Sequence, residues 1–106
     1  MGSLEEIHRF FNGLPVGSRV RVILKPGFEV VDSEEDGGLV VKMGVCDISS
    51  GERTVIEGVY VDYLCFGNDG MAAIDAHYME GIADSSRTIP VWTSYIEYYG
   101  VVKRAD

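Results

Sequence analysis

Val20-Arg21-Val22-Ile23-Leu24-Lys25-Pro26-Gly27-Phe28-Glu29-Val30 is the stretch on which the fold is decided. Val20, Val22 and Leu24 alternate with Arg19, Arg21 and Ile23 from Ser18 onward, the two-residue period of a strand with one face wet and one dry. Pro26-Gly27 ends the run as a turn, because proline lacks the N–H a ladder needs and glycine tolerates positive φ. Phe28 to Val31 then returns as a second strand. A chain that reverses so early is building an antiparallel sheet.

Upstream of this hairpin the period is different. Ser3-Leu4-Glu5-Glu6 fits the S-x-x-E capping box, in which the serine oxygen and the glutamate carboxylate satisfy opening backbone donors. Leu4, Ile7 and Phe11 recur at helical spacing with Phe10 beside them, and Asn12-Gly13 then Pro15 supply the stop, so a short helix is predicted over about residues 4–12. Such a helix is marginal alone and must lay its apolar stripe on the end or face of a sheet.

Downstream, Asp32-Ser33-Glu34-Glu35-Asp36-Gly37-Gly38 reads as a solvated loop. Three long strands follow, Leu39 to Ile48, Thr54 to Phe66 and Met71 to Met79. Ser49-Ser50-Gly51-Glu52 and Gly67-Asn68-Asp69-Gly70 are the hairpin turns between them. Gly44 and Gly58 lie inside strands, where a missing side chain permits the sharp bending by which a small sheet closes on itself. After a polar connection, Glu80 to Ser86, comes a short strand Thr88 to Trp92. Thr93-Ser94-Tyr95 reads as one 3₁₀ turn at a barrel corner, and a last strand runs from Ile96 to about Val102. The expected fold is mainly β: the short N-terminal helix, then a strongly bent five- to six-stranded antiparallel sheet closing into a small barrel over about residues 18–102. At 106 residues this is one domain.

The same N-terminal strand pair, from Val20 to Val30, resembles the first strand, turn and second strand of Sm-like proteins. The short helix before it, the bent meander after it and the close Ile89-Pro90-Val91-Trp92, turn, Ile96 are similar to that family and to SH3-like barrels generally. The resemblance implies a ring-forming subunit whose edge strands pair between neighbours, with RNA bound around the pore. The family's RNA-reading motifs depart from it here: Asp47 is followed by Ile48-Ser49-Ser50-Gly51 with no asparagine, and Arg87 is followed by Thr88 rather than glycine.

Charge bears on the same point. Seventeen acidic and nine basic residues give a net charge of −8, which repels a polyanion at long range and disfavours RNA or DNA as a partner. Arg19, Arg21, Lys103 and Arg104 are the candidates for a local basic patch. No apolar run approaches the roughly 20 residues needed to span a bilayer, so no membrane partner is expected. Without a basic or apolar leader at Met1 to Glu6, a cytoplasmic location is expected. Cys46 and Cys65 lack metal-ligand spacing and read as reduced core thiols.

Two side-chain groups are candidates for chemistry. If Asn68-Asp69 are the central residues of their hairpin, Asp62 faces Asp75 and Tyr60 faces His77. Asp62, Asp75 and His77 then share a face that is either a hydrated surface or a hard-cation or acid–base site. Trp92, Tyr95, Tyr98 and Tyr99 either stack a flat ligand or build an interface, where such residues are enriched. No nucleophile elbow, phosphate loop or HExxH motif is present. The reading is a non-enzymatic module without cofactor that forms a homo-oligomer or docks a protein. One rival is RNA binding through the aromatics and Arg87, and another is an enzyme or metal protein using the carboxylates.

Overall fold

Burial carries out the alternation written into the first strand. In the computed structural model, which describes residues 4–33, 38–43, 53–78 and 87–105, β1 (Arg19–Leu24) buries Val20, Val22 and Leu24 while Arg19 and Arg21 stay exposed. After it come β2 (Phe28–Ser33), β3 (Gly38–Met43), β4 (Val55–Phe66), β5 (Asp69–Tyr78), β6 (Arg87–Trp92) and β7 (Ile96–Lys103). Five of these form one antiparallel sheet in the order β6-β5-β4-β1-β7, and β2 pairs with β3 as a separate hairpin. The two edges of the large sheet, β6 and β7, are consecutive in the chain. A three-residue 3₁₀ turn, Thr93–Tyr95, joins them, as the sequence predicts.

The core is the inner face of this sheet. Val20, Val22, Leu24, Ile56, Ala72, Ile74, Ile89 and Val91 are its floor, and α1 (Leu4–Asn12) lays Ile7 and Phe11 upon it. Phe28, Val30 and Val41 of the β2–β3 hairpin pack against the same cluster, with Val30 and Val41 cross-strand partners. Thus the hairpin covers one side and the helix another. The helix ends at the predicted place, with Gly13 donating its N–H to the Arg9 carbonyl at 3.0 Å. Its predicted capping serine, Ser3, the bend expected at Gly44, the end of the strand expected to run to Ile48, the turn expected at Ser49 to Glu52 and the connection expected over Glu80 to Ser86 lie outside the described residues.

Gly58 serves close approach. A Cβ there would collide with the Asp75 carbonyl, so β5 crosses β4 with its backbone against a position that only glycine can hold. The register shifts there, between Glu57 and Gly58, and again between Tyr60 and Asp62. Each irregularity raises the local twist and bends the strand.

The β4–β5 turn corrects one expectation. Phe66 pairs with Asp69, so the central residues are Gly67-Asn68 and not Asn68-Asp69. Gly67 takes φ +60°, the positive value a two-residue hairpin loop asks of its first central residue. Asp62 consequently faces Ala73, Asp75 faces Val59, and Tyr60 faces Ile74. The opposed carboxylates and the Tyr60–His77 pair do not form.

Candidate interaction surface

The second shift in β4 changes which residues look outward. Before it Ile56 and Tyr60 point into the core; after Val61 the parity reverses and Tyr63 turns inward, its ring stacked on Phe11 at 5.4 Å and 15°. Leu64 and Phe66 are thereby sent to the outer face, 45% and 51% exposed. Leu64 lies beside Met71, and Met71 beside Trp92, a row across three strands. Phe66 closes the row, its ring 5.4 Å from that of Trp92. The next row holds Asp62, Ala73 and Pro90, so a carboxylate borders the apolar row on the β4 side. The result is an apolar ridge on the outside of β4, β5 and β6, the kind of surface that marks an interaction site.

A polar network holds the corner beneath this ridge. Asp69 Oδ1 accepts from the N–H of Gly70 at 2.8 Å and the hydroxyl of Thr93 at 2.5 Å, and Oδ2 accepts from the Ser94 hydroxyl at 2.9 Å. One carboxylate therefore ties the β4–β5 hairpin to the 3₁₀ turn. Partial burial raises the Asp69 pKa, but the hydrogen bonds from Thr93, Gly70 and Ser94 prevail and hold it below the ordinary value. Above the network the Tyr63 hydroxyl is hydrogen-bonded to His8 Nδ1 of the helix. Burial, then the Cys65 thiol, pushes the Tyr63 phenol up to about 12, so it stays protonated at neutral pH. A Cβ on Gly70 would strike the Tyr63 hydroxyl, which requires glycine beneath it.

The outer face changes character toward β1 and β7. Glu57 accepts from Arg19 at 2.8 Å and from Arg21 at 2.8 Å, and Arg53 binds Glu97 at 2.9 Å. The Arg21 guanidinium lowers the Glu57 carboxyl most; burial opposes it, and Arg19 assists. Beside this strip, an open groove of about 250 Å³ runs over Gly100 between Arg21, Ile23, Tyr98 and Val102. A second groove of about 230 Å³ is lined by Gly17, Arg19, Lys103, Arg104 and Ala105. The four basic residues singled out in the sequence thus gather at one end of β1 and β7, with two of them already paired to Glu57.

The four aromatics expected to act together are divided. Tyr95 stacks on Phe28 at 4.4 Å and Tyr99 lies 4.7 Å from Phe10, both half-buried against the core. Trp92 ends β6 at one edge of the sheet, whereas Tyr98, 51% exposed, lies on β7 at the other. Arg87 pairs in register with Ala76 at the start of β6, and His77 lies at the β5 position where the register shifts. Among the described residues no three of His, Cys, Asp and Glu gather at a metal-holding distance. Cys65 is exposed and not a core thiol, because the hairpin tip projects past the core; Cys46 lies outside the described residues.

No family model, curated protein or solved structure matches this chain. Leu64, Phe66 and Met71 are the surface residues that sequence reasoning missed. Their signal is present in Tyr60-Val61-Asp62-Tyr63-Leu64-Cys65-Phe66, which is apolar at both parities where a half-wet strand would alternate.

Proposed function

We propose that this chain is a non-enzymatic binding and assembly module, a small barrel of Sm-like or SH3-like type that self-associates or docks a protein. The observation that carries the reading is the apolar ridge of Leu64, Met71, Trp92 and Phe66 on the outer face, where a protein without a partner gains nothing from exposing aromatic area. The barrel element is supported by the placement of β6 and β7 at opposite edges with a three-residue turn between them, which draws those edges toward one another. Expected net acidity at the rim of the contact favours a basic or neutral protein surface.

Light scattering coupled to size exclusion tests self-association. A mass above 11.7 kDa at micromolar concentration is expected, and a clean monomer would leave the adaptor form, which docks a different protein through the ridge. Tight binding of a single-stranded oligonucleotide at physiological salt, weakened by Arg87→Ala, would replace this reading with RNA binding. The groove beside Lys103 and Arg104 is the feature that favours that rival. A rise in melting temperature with a divalent ion, abolished by Asp75→Asn, would replace it with a metal protein.

A further inference from the structure

β7 is an edge strand whose outer side pairs with no described strand, and its sequence is complementary to itself. Glu97-Tyr98-Tyr99-Gly100-Val101-Val102-Lys103 read against a second, antiparallel copy about Gly100 sets Glu97 opposite Lys103, Tyr98 opposite Val102 and Tyr99 opposite Val101. We infer that two copies of this chain join through β7, with Gly100 on the two-fold axis and the large sheet continuing from one copy into the other. This rests on the self-associating form of the function proposed above.

The hydrogen-bond phase of the sheet agrees. Leu24 donates its N–H to the Thr54 carbonyl, and Tyr60 donates to Ser18, so the even residues of β1 direct their backbone groups toward β4. By alternation Arg21 and Ile23 direct theirs toward β7, where their partners are Gly100 and Tyr98. The N–H and C=O groups of Tyr99 and Val101 therefore face away from the sheet. In the two-fold pairing these residues oppose each other across the interface and exchange both bonds. Gly100 then meets its own copy as a non-hydrogen-bonded pair, the closer kind, at a Cα separation of about 4.5 Å.

Side chains agree as well. Tyr98 and Val102, 51% and 49% exposed, flank the groove over Gly100, and in the paired edge each Tyr98 ring lies diagonal to the other copy's Gly100. An aromatic beside a cross-strand glycine covers the gap that the glycine leaves. The ends are compatible in charge: Lys103, in register beside Arg19 within one copy, comes opposite the other copy's Glu97, a carboxylate that Arg53 of its own copy already binds. From Tyr98 to Val101 the register with β1 is unbroken, with shifts only on either side. The stretch Tyr98 to Val102 carries neither the proline nor the charge by which edges are protected.

Disulfide trapping with the full chain tests this. In a background with Cys46→Ser and Cys65→Ser, Gly100→Cys is expected to form a covalent dimer on mild oxidation, because the predicted Cα separation lies within disulfide range. Lys103→Cys, whose two copies lie far from the axis, is expected to stay uncrosslinked. Val101→Pro removes an outward N–H while leaving the bonds to β1, and is expected to weaken the dimer by about tenfold or more with the far-ultraviolet circular dichroism of the folded chain unchanged. An unmutated chain that is dimeric, yet crosslinks no better at Gly100→Cys than at Lys103→Cys, would overturn this interface and leave the proposed function standing. A monomer would overturn both this interface and self-association.

Discussion

Asp69 does more for this fold than its place in a turn suggests. Released from the loop by Gly67, it accepts hydrogen bonds from Thr93 and Ser94, and its pKa falls below the ordinary 3.8. A lowered carboxylate contributes stability above the unfolded pKa and loses it as pH falls through the folded value. Acid unfolding is therefore expected to gain steepness below about pH 4, and Asp69→Ala to lower stability by about 2 kcal/mol at neutral pH while flattening that limb, as followed by circular dichroism. Tyr63 works in the opposite direction. Its phenol, raised from 10.0 to about 12, contributes stability below pH 10 that is lost as pH rises toward 12. Tyr63→Phe should remove that alkaline dependence, together with the bond to His8. The Asn, Asp and Gly of this turn were legible in the sequence, but the choice of its central pair was not. That choice depends on Thr93 and Ser94, which local turn chemistry does not see.

Among the elements, α1 and β1 were the most legible, since each shows one period without interruption and buries the residues that period selects. Phe11 is wholly buried against Tyr60 and Tyr63, so Phe11→Ala is expected to cost about 3–5 kcal/mol in a denaturant titration. Arg9→Ala, which breaks only the exposed pair with Glu5 at 2.7 Å, should cost no more than about 0.5 kcal/mol. β4 was legible in extent but not in facing. An extra residue at Val61 reverses parity midway, and no single period describes a strand that changes face. That one irregularity explains the missed ridge, whereas the misplaced carboxylate pair follows from the turn, whose central residues set Asp62 opposite Ala73. Phe66→Glu is accordingly expected to leave the melting temperature within a few degrees while abolishing docking at the ridge, a separation that a core residue would not permit.

At the scale of the whole molecule, the mainly β class and the order of elements followed from the sequence, while the division into a five-stranded sheet and a separate hairpin did not. Strand pairing between β1 and β7 joins residues more than seventy positions apart in the chain, beyond the reach of any local pattern. Chelation is expected to leave the melting temperature within about a degree, because Asp62 and Asp75 face Ala73 and Val59 and not each other. A drop of several degrees would contradict this.

The place of β1 between β4 and β7 has a kinetic consequence. Its neighbours β4 and β7 are made long after it, so during synthesis Val20, Val22 and Leu24 must wait, unpaired on one side, until β7 has left the ribosome. The β4–β5 hairpin, whose partners are close in sequence, can form earlier, but the core cannot close upon it. A nascent chain stalled before Ile96 should therefore remain protease-sensitive and attract chaperones, and resistance should appear in a single step once Lys103 has emerged.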